Sequence, residues 1–337
     1  MLIHQIIFPA VNEAALVERE LPAPSPTQVL VKTVFSTVSP GTERANITGS
    51  DSVAGANAPK VKFPRALGYS AAGEVIAVGE KVESVVPGDR VAVMWGKHAS
   101  YSLSEEKNIV RLPEGVSYAD GAALLIGTFP LAAIRKTRLE IGEACMVMGL
   151  GLLGQFAVRL AKAAGAVPVI ACDPVESRRA DALAGGADFA LDPTQEGFAE
   201  QVKALTGKGV NAAIEVTGVG AGLNETLDCM ARFGRIALLG CTRDPNFTVD
   251  YYRKIHFPGV TLIGAHTHAR PEWESSPGWF THRDDMQTLM KLITLGRLDI
   301  SAMHGPVYAP QDCKTVYDAL IHDRNFPMMV QFDWRKL

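Results

Sequence analysis

The stretch Cys145-Met146-Val147-Met148-Gly149-Leu150-Gly151-Leu152-Leu153-Gly154 decides the fold. Its four leading apolar residues read as a short buried strand. The G-x-G-x-x-G turn behind them opens a helix over 155–164, with Phe156, Leu160 and Ala163 at helical spacing. The first glycine permits the tight turn. The second lets backbone approach a diphosphate, and the third lets helix pack on strand. The helix start offers unpaired N–H groups and the positive end of the dipole to phosphates. Residues 167–172 form the next strand, and Asp173 closes it where the pattern expects a carboxylate for ribose hydroxyls. A glycine turn alone is a weak sign. Strand, helix and carboxylate together point to a dinucleotide; the bland alternative is a structural turn beside a surface aspartate.

Working outward, the chain keeps alternating. Helices are expected over 177–184, 198–205 and 223–231, and strands over 189–191, 212–216, 235–239 and 259–264. Repeated βα units imply a doubly wound parallel sheet with right-handed crossovers. The N-terminal part is β-rich instead: strand-like runs at 29–34 and 71–78, then the turn Pro87-Gly88-Asp89 before another apolar run. Short strands between Gly/Pro turns suggest a small barrel or sandwich. After the sheet come a loop with Trp273, Pro277 and Trp279, a helix over 284–295 and a short β-rich tail to Trp334. The tail is too short to stand alone and is expected to rejoin the first domain. No internal repeat or low-complexity linker is visible.

A length of 337 residues suggests about two domains. Hydrophobic residues at 47% and charged residues at 20% suit a soluble globular chain. With 33 basic against 36 acidic residues, no field suited to nucleic acid exists, and that class is set aside. Five scattered cysteines (Cys145, Cys172, Cys229, Cys241, Cys313) contain no C-x-x-C pair, which argues against a disulfide framework and a four-cysteine zinc lobe. The most apolar stretch, 119–134, is broken by Asp120, Gly127 and Pro130, so no membrane span is expected. The N-terminus lacks a basic, then apolar, leader, and a cytoplasmic location is the default.

Gly68-Tyr69-Ser70-Ala71-Ala72-Gly73-Glu74-Val75, the Val78-Gly79 step, Pro87-Gly88-Asp89-Arg90-Val91, the glycine turn and Glu215-Val216-Thr217-Gly218 follow in a specific order and spacing. In these the chain resembles the medium-chain dehydrogenase/reductase (zinc-type alcohol dehydrogenase-like) superfamily over nearly its whole length. The resemblance implies an α/β protein with a GroES-like β-barrel catalytic domain, 1–118 and 268–337, plus a Rossmann doubly wound parallel-sheet domain, 119–267. The Asp173 carboxylate accepts from a 2′-hydroxyl and repels a 2′-phosphate, which favours NAD over NADP, and the cofactor is expected on Gly149, Gly151, Leu152, Leu153, Gly154, Asp173, Arg178, Thr217 and Gly240. Arg178 and Arg179 could soften that cofactor preference, although solvated helix residues are the plainer reading. Relatives commonly pair edge strands of the Rossmann sheet, here about 260–264, so a homodimer or tetramer is expected.

The departures from the family pattern carry more information. Zinc-dependent members have a cysteine where this chain has Pro40, a histidine where it has Tyr69-Ser70, and a third ligand near Ile126-Gly127-Thr128. A catalytic zinc takes at least three protein ligands, so no zinc is expected and no metal ligand is assigned. The pattern resembles a zinc-lacking branch near sorbitol/threonine dehydrogenase-like and bacteriochlorophyllide hydroxyethyl dehydrogenase-like proteins.

Without zinc, alcohol oxidation needs a positioned base or hydrogen-bond network. The candidates are Thr42, Glu43, Tyr69, His98, His266 and His268. Thr42 sits where the family has a hydroxyl that relays the alcohol proton; it could instead cap a helix. Glu43 could orient a donor or pair with Arg44 or Arg65. Tyr69 should face the cleft, unless it is a core aromatic. His98, with Lys97, follows a strand end at Trp95-Gly96 and is a cleft-edge candidate; surface is its plain alternative. His266-x-His268 puts two imidazoles on one face of an extended segment, serving substrate hydroxyls, a base role, or only an interface. Trp273 and Trp279 could stack on a sugar face. The leading expectation is NAD-dependent interconversion of a secondary alcohol, on a polyol, sugar or sugar derivative, and its ketone. The alternatives are a zinc-free quinone/enone reductase and a non-catalytic dinucleotide sensor.

Overall fold

In the computed structural model, residues 1–50, 61–242 and 246–337 are described. The chain divides into two units: Met1–Ile126 with Met286–Gly296 and Ile300–Leu337, and Gly127–Asp285 with Arg297–Asp299.

The first unit is the β-rich one. Strands β1 (Leu2–Phe8), β2 (Ala15–Glu20) and β3 (Gln28–Val38) precede helix α1 (Pro40–Ile47). Strands β4 (Arg65–Ala66), β5 (Ser70–Val78), β6 (Arg90–Met94), β7 (Tyr101–Glu105) and β8 (Ile109–Arg111) follow, then helix α2 (Tyr118–Gly121). Strand β3 pairs with both β5 and β7, and register shifts after Leu30 and Thr33 bend it. Val29, Val31, Val75, Val91, Val93 and Ile109 fill the space it curves around.

The second unit begins within α3 (Leu124–Thr137) and runs β9 (Cys145–Met148), α4 (Leu152–Ala163), β10 (Val169–Cys172), α5 (Glu176–Ala184), β11 (Phe189–Leu191), α6 (Phe198–Thr206), β12 (Val210–Glu215), α7 (Gly220–Asp228), β13 (Met230–Leu238) and β14 (Thr261–Gly264). All neighbours are parallel, in the order β11-β10-β9-β12-β13-β14. Strands β9 and β10 are buried at every residue, as befits a sheet covered on both faces. The order reverses between β9 and β12, and such a switch point opens a ligand crevice at the carboxyl ends. Helix α8 (His282–Thr294), β15 (Val307–Tyr308), α9 (Cys313–His322) and β16 (Val330–Asp333) complete the chain, and β16 pairs with β3. The architecture is α/β, a GroES-like unit and a Rossmann unit.

Three differences from the sequence reading have physical causes. Helix α4 starts at Leu152 rather than 155, because extended Gly151 already serves as its N-cap. The tail is not only β: Cys313, Val316, Tyr317 and Leu320 recur at i, i+3, i+4 and i+7 and bury one face of α9. The units divide at 126/127 and 285/286, where the sequence reading places boundaries at 118/119 and 267/268. Residues 119–122 stay with the first unit through Gln331 Nε2 donating to the Ala119 carbonyl (2.8 Å) and Ser70 Oγ to that of Ala122 (2.6 Å). Among the described residues, no helix is long and apolar enough to cross a membrane.

Candidate active site

At the carboxyl edge of the parallel sheet the glycine turn takes a constrained shape. Gly149 has φ +96°, and a side chain there would meet Thr217 Cγ2 at 3.0 Å. A Cβ on Gly154 would lie 1.9 Å from the Gly149 carbonyl oxygen, so α4 can approach β9 only without one. A Cβ on Gly151 meets nothing within 4 Å. No side chain caps α4, which leaves the Leu152, Leu153 and Gly154 N–H groups of its first turn for an anion. The open face and uncapped donors fit a dinucleotide diphosphate.

Asp173 follows β10 and is nearly buried. Its Oδ2 accepts from the Leu150 N–H (2.8 Å) and its Oδ1 from the Val175 N–H (2.9 Å), which fixes the carboxylate beside the turn. A carboxylate has about four acceptor positions, so capacity for ribose hydroxyls remains. Arg178 stands 3.7 Å from Oδ2, partly exposed. Arg179 is turned to backbone, donating to the Asp173 and Pro174 carbonyls at 2.7 and 2.9 Å.

Strand β12 ends in Glu215, whose carboxyl burial pushes above the usual range. It accepts from the Thr217 N–H (2.7 Å), the Thr217 hydroxyl and the Gly218 N–H (3.2 Å). A Cβ on Gly240 would meet the Gly218 nitrogen at 2.3 Å, so these turns close on one another. Gly149, Thr217 and Gly240 therefore meet in one place, with the Thr217 hydroxyl already engaged by Glu215.

Beyond β14, Ala265 donates to the Leu238 carbonyl (3.1 Å), and His266 and His268 follow with ring centroids 5.4 Å apart. His266 Nδ1 accepts from the His268 N–H (3.3 Å), so the proton of the neutral ring sits on Nε2. Burial, then His268 and Lys136, hold its pKa below the usual histidine value. Among the described residues, no three His, Cys, Asp or Glu side chains gather as a metal site.

In the first unit, two sequence neighbours part company. Thr42 is exposed on the first turn of α1; the helix cap is Ser39, so Thr42 does not cap it. Glu43 is 1% exposed, and its partner is neither Arg44 nor Arg65. His98 Nε2 lies 3.1 Å from Glu43 Oε1, the Tyr317 hydroxyl donates to Oε2 at 2.5 Å, and the Ser39 N–H donates to Oε1 at 2.9 Å. His98 is 0% exposed, and its Nδ1 lies 2.8 Å from Ser36 Oγ, which accepts from Trp334 Nε1 at 2.9 Å. The distances suit a relay in which Trp334 donates to Ser36, Ser36 to His98 Nδ1, and His98 Nε2–H to Glu43 Oε1. Glu43, expected to orient a donor or pair with an arginine, and His98, expected at a cleft edge or on the surface, are enclosed in this network instead. Burial and the Glu43 charge hold the Tyr317 phenol well above its ordinary pKa. Ser36, Tyr317 and Trp334 carry no motif; only the helical spacing around Tyr317 could have flagged one of them.

Tyr69 is half-buried. Its ring lies 6.2 Å from that of Trp95, whose N–H donates to the Tyr69 carbonyl (2.7 Å) and whose φ is +63°. At the three zinc-ligand positions, Pro40 has no side-chain donor, Tyr69 offers a phenol, and Thr128 Oγ1 is 2.8 Å from His282 Nδ1. Four of the cysteines are buried, and burial pushes the Cys145 and Cys229 thiols up to about 12. None of Pro40, Tyr69 and Thr128 offers a thiolate, imidazole or carboxylate, the usual zinc donors.

Two family models match: an alcohol dehydrogenase GroES-like domain over 25–158 and a zinc-binding dehydrogenase over 153–281. D-guloside 3-dehydrogenase of Shigella flexneri is 26% identical over 322 residues, covering 90% of this chain and 91% of its own. L-threonine 3-dehydrogenase of Pyrococcus horikoshii is 28% identical over 320 residues, covering 85% and 86%. A crystal structure of a short chain alcohol dehydrogenase from E. coli CFT073, complexed with cofactor NADH, shares the fold with a TM-score of 0.83, 19% identity and 99% coverage of each chain. The two models together span 25–281, and the chain belongs to the zinc-type, alcohol dehydrogenase-like superfamily of medium-chain dehydrogenases/reductases. It is an oxidoreductase of that dinucleotide-binding class.

Proposed function

We propose that this chain interconverts a secondary alcohol and its ketone with NAD, on a polyol, sugar or sugar derivative, and without catalytic zinc. The observation that carries the cofactor reading is the Asp173 carboxylate, locked beside the glycine turn by Leu150 and Val175. An anion there accepts from a ribose 2′-hydroxyl and repels a 2′-phosphate. The turn residues Gly149, Gly151, Leu152, Leu153 and Gly154 would hold the diphosphate, with Thr217 and Gly240 shaping the neighbouring wall. When bound, the nicotinamide supplies the hydride acceptor.

With Pro40 and Tyr69 standing where the resemblance puts zinc ligands, the proton would pass through hydroxyl side chains. Thr42 presents an exposed hydroxyl able to relay a proton to water, and Tyr69 is the half-buried phenol beside it in role. His266, with its proton on Nε2, would donate to a substrate oxygen rather than act as base. Glu43 and His98 are read as structural, since a fully enclosed group does not meet substrate. The polyol class is supported by the guloside relative and by exposed Trp273 and Trp279.

The test is a panel of polyols, sugars and sugar derivatives with NAD and with NADP, followed at the nicotinamide absorbance. Turnover of a polyol with NAD supports the reading. Turnover confined to quinones or enones with NADPH would replace it with the reductase, and NADH binding without turnover would favour the sensor. One stoichiometric zinc per purified chain would overturn the zinc-free mechanism.

Edge strand β14 and the exposed rings of Phe233, Tyr252 and Phe257, with Arg232 over two of them, favour pairing with a second copy. Sedimentation equilibrium should give a dimer or tetramer; a monomer at micromolar concentration refutes that assignment.

A further inference from the structure

Residues 265–281 join β14 to α8 and carry His266, His268, Trp273 and Trp279 with little regular structure. A connection of this length and composition would move freely unless tied down. Its central tie is Arg270, whose side chain is 4% exposed. The guanidinium reaches three acceptors on two helices. Nη1 pairs with Asp285 Oδ2 at 3.2 Å and lies 3.0 Å from His282 Nδ1, both on α8, while Nη2 donates to the Thr128 carbonyl on α3 at 2.8 Å.

The chemistry of this cluster leaves little freedom. Arginine has only N–H groups to offer, so His282 Nδ1 must present its lone pair and the ring is uncharged. Burial and the Arg270 charge push its pKa down to about 3. Asp285 is fully buried and is also held by Arg135 Nε at 3.1 Å, and the Arg135 guanidinium stacks 3.6 Å over the Phe280 ring near the segment's end. Three acceptors in diverging directions suit a planar fork and not a point charge, so lysine is a poor substitute. A second tie lies nearby: Lys136 Nζ donates to the carbonyls of Gly264 (2.8 Å) and Ala269 (2.5 Å). A third fixes the far end, where Asp284 accepts from the Ser275 and Thr281 hydroxyls.

We propose that Arg270 is a positioning residue, a latch that fastens residues 265–281 to α3 and α8 and thereby sets where His266 presents its N–H. The positioning part rests on the reading that His266 serves the substrate; the latch itself does not. The test compares wild type with Arg270→Gln and Arg270→Lys by hydrogen–deuterium exchange, NADH titration and steady-state kinetics. Both variants should exchange about tenfold faster over 265–281, with the β9, β10 and β12 peptides unchanged. KM for the alcohol should rise about tenfold or more while NADH affinity stays within about twofold. If Arg270→Gln does not fold, Arg270→Lys carries the comparison. Exchange unchanged in 265–281 overturns the latch. Faster exchange with KM and kcat both unaltered overturns the positioning role. Faster exchange in a protein whose wild type oxidises no polyol supports the latch and refutes the functional reading beneath it.

Discussion

Replacing Glu43 by alanine withdraws the one acceptor shared by three buried donors: the Tyr317 hydroxyl, the Ser39 N–H and the His98 Nε2–H. Each stranded donor costs about 1–3 kcal/mol. His98 has an escape, because its proton can move to Nδ1 and face Ser36 Oγ at 2.8 Å. The Ser39 N–H has none. The Tyr317 hydroxyl has little, on a side chain 1% exposed whose ring packs edge-on to Phe8 at 4.8 Å. Two hard orphans and a small cavity therefore set the expected loss at about 3–6 kcal/mol, a large part of the 5–15 kcal/mol of a typical domain. Glutamine keeps the shape and one acceptor. Tyr317 can then accept from the amide while His98 changes tautomer, so Glu43→Gln should cost only about 1–2 kcal/mol. Urea unfolding reads the difference as a shift in midpoint at constant slope. An alanine variant within about 0.5 kcal/mol of wild type would refute the network as a stabilising unit. A glutamine variant of near-native stability that loses turnover about a hundredfold would show that Glu43 acts in the chemistry after all.

Other parts of the molecule yield sharper contrasts. Gly151→Ala meets no atom within 4 Å and should leave the thermal midpoint within a few degrees while weakening NADH binding; Gly154→Ala, 1.9 Å from the Gly149 carbonyl, should lower both. NADH fluorescence titration and thermal melts check the pair. Asp173→Asn should cut the preference for NAD over NADP by about tenfold, measured as a ratio of kcat/KM, because the charge facing a 2′-phosphate is gone. Asp285 has its pKa raised to about 6, chiefly by burial, with Arg270 and Arg135 pulling the other way. The folded value lies above the ordinary 3.8, so the native state binds the proton more tightly. This group's contribution is greatest below about pH 4 and is lost as pH rises through 6, a fall of about 3 kcal/mol complete near pH 7. Comparing wild type and Asp285→Asn from pH 5 to 7.5 by urea midpoint should remove that slope; an identical slope in both would exclude Asp285 as its source.

What the sequence made legible is what local rules encode. Alternation of β and α, the glycine turn and Asp173 all lie within a few dozen residues, and each follows from a steric or hydrogen-bonding demand of its own neighbourhood. The boundaries β9 and β11 fall where the apolar runs place them, and the missed α9 was present as spacing between Cys313 and Leu320. The Glu43 network is another kind of object. Ser36, Glu43, His98, Tyr317 and Trp334 come from β3, α1, the β6–β7 connection, α9 and the last residues, up to 298 positions apart, and no periodicity relates them. The latch likewise joins Thr128 to Arg270 across 142 positions. Even adjacency misleads here. Thr42 and Glu43 invite a paired role, yet a helix turns about 100° per residue, so on α1 one faces solvent and the other the core. That rotation separates the two: under the proposed function the exposed residue is the one to meet a substrate, and the buried one holds α1, and so Thr42, in place.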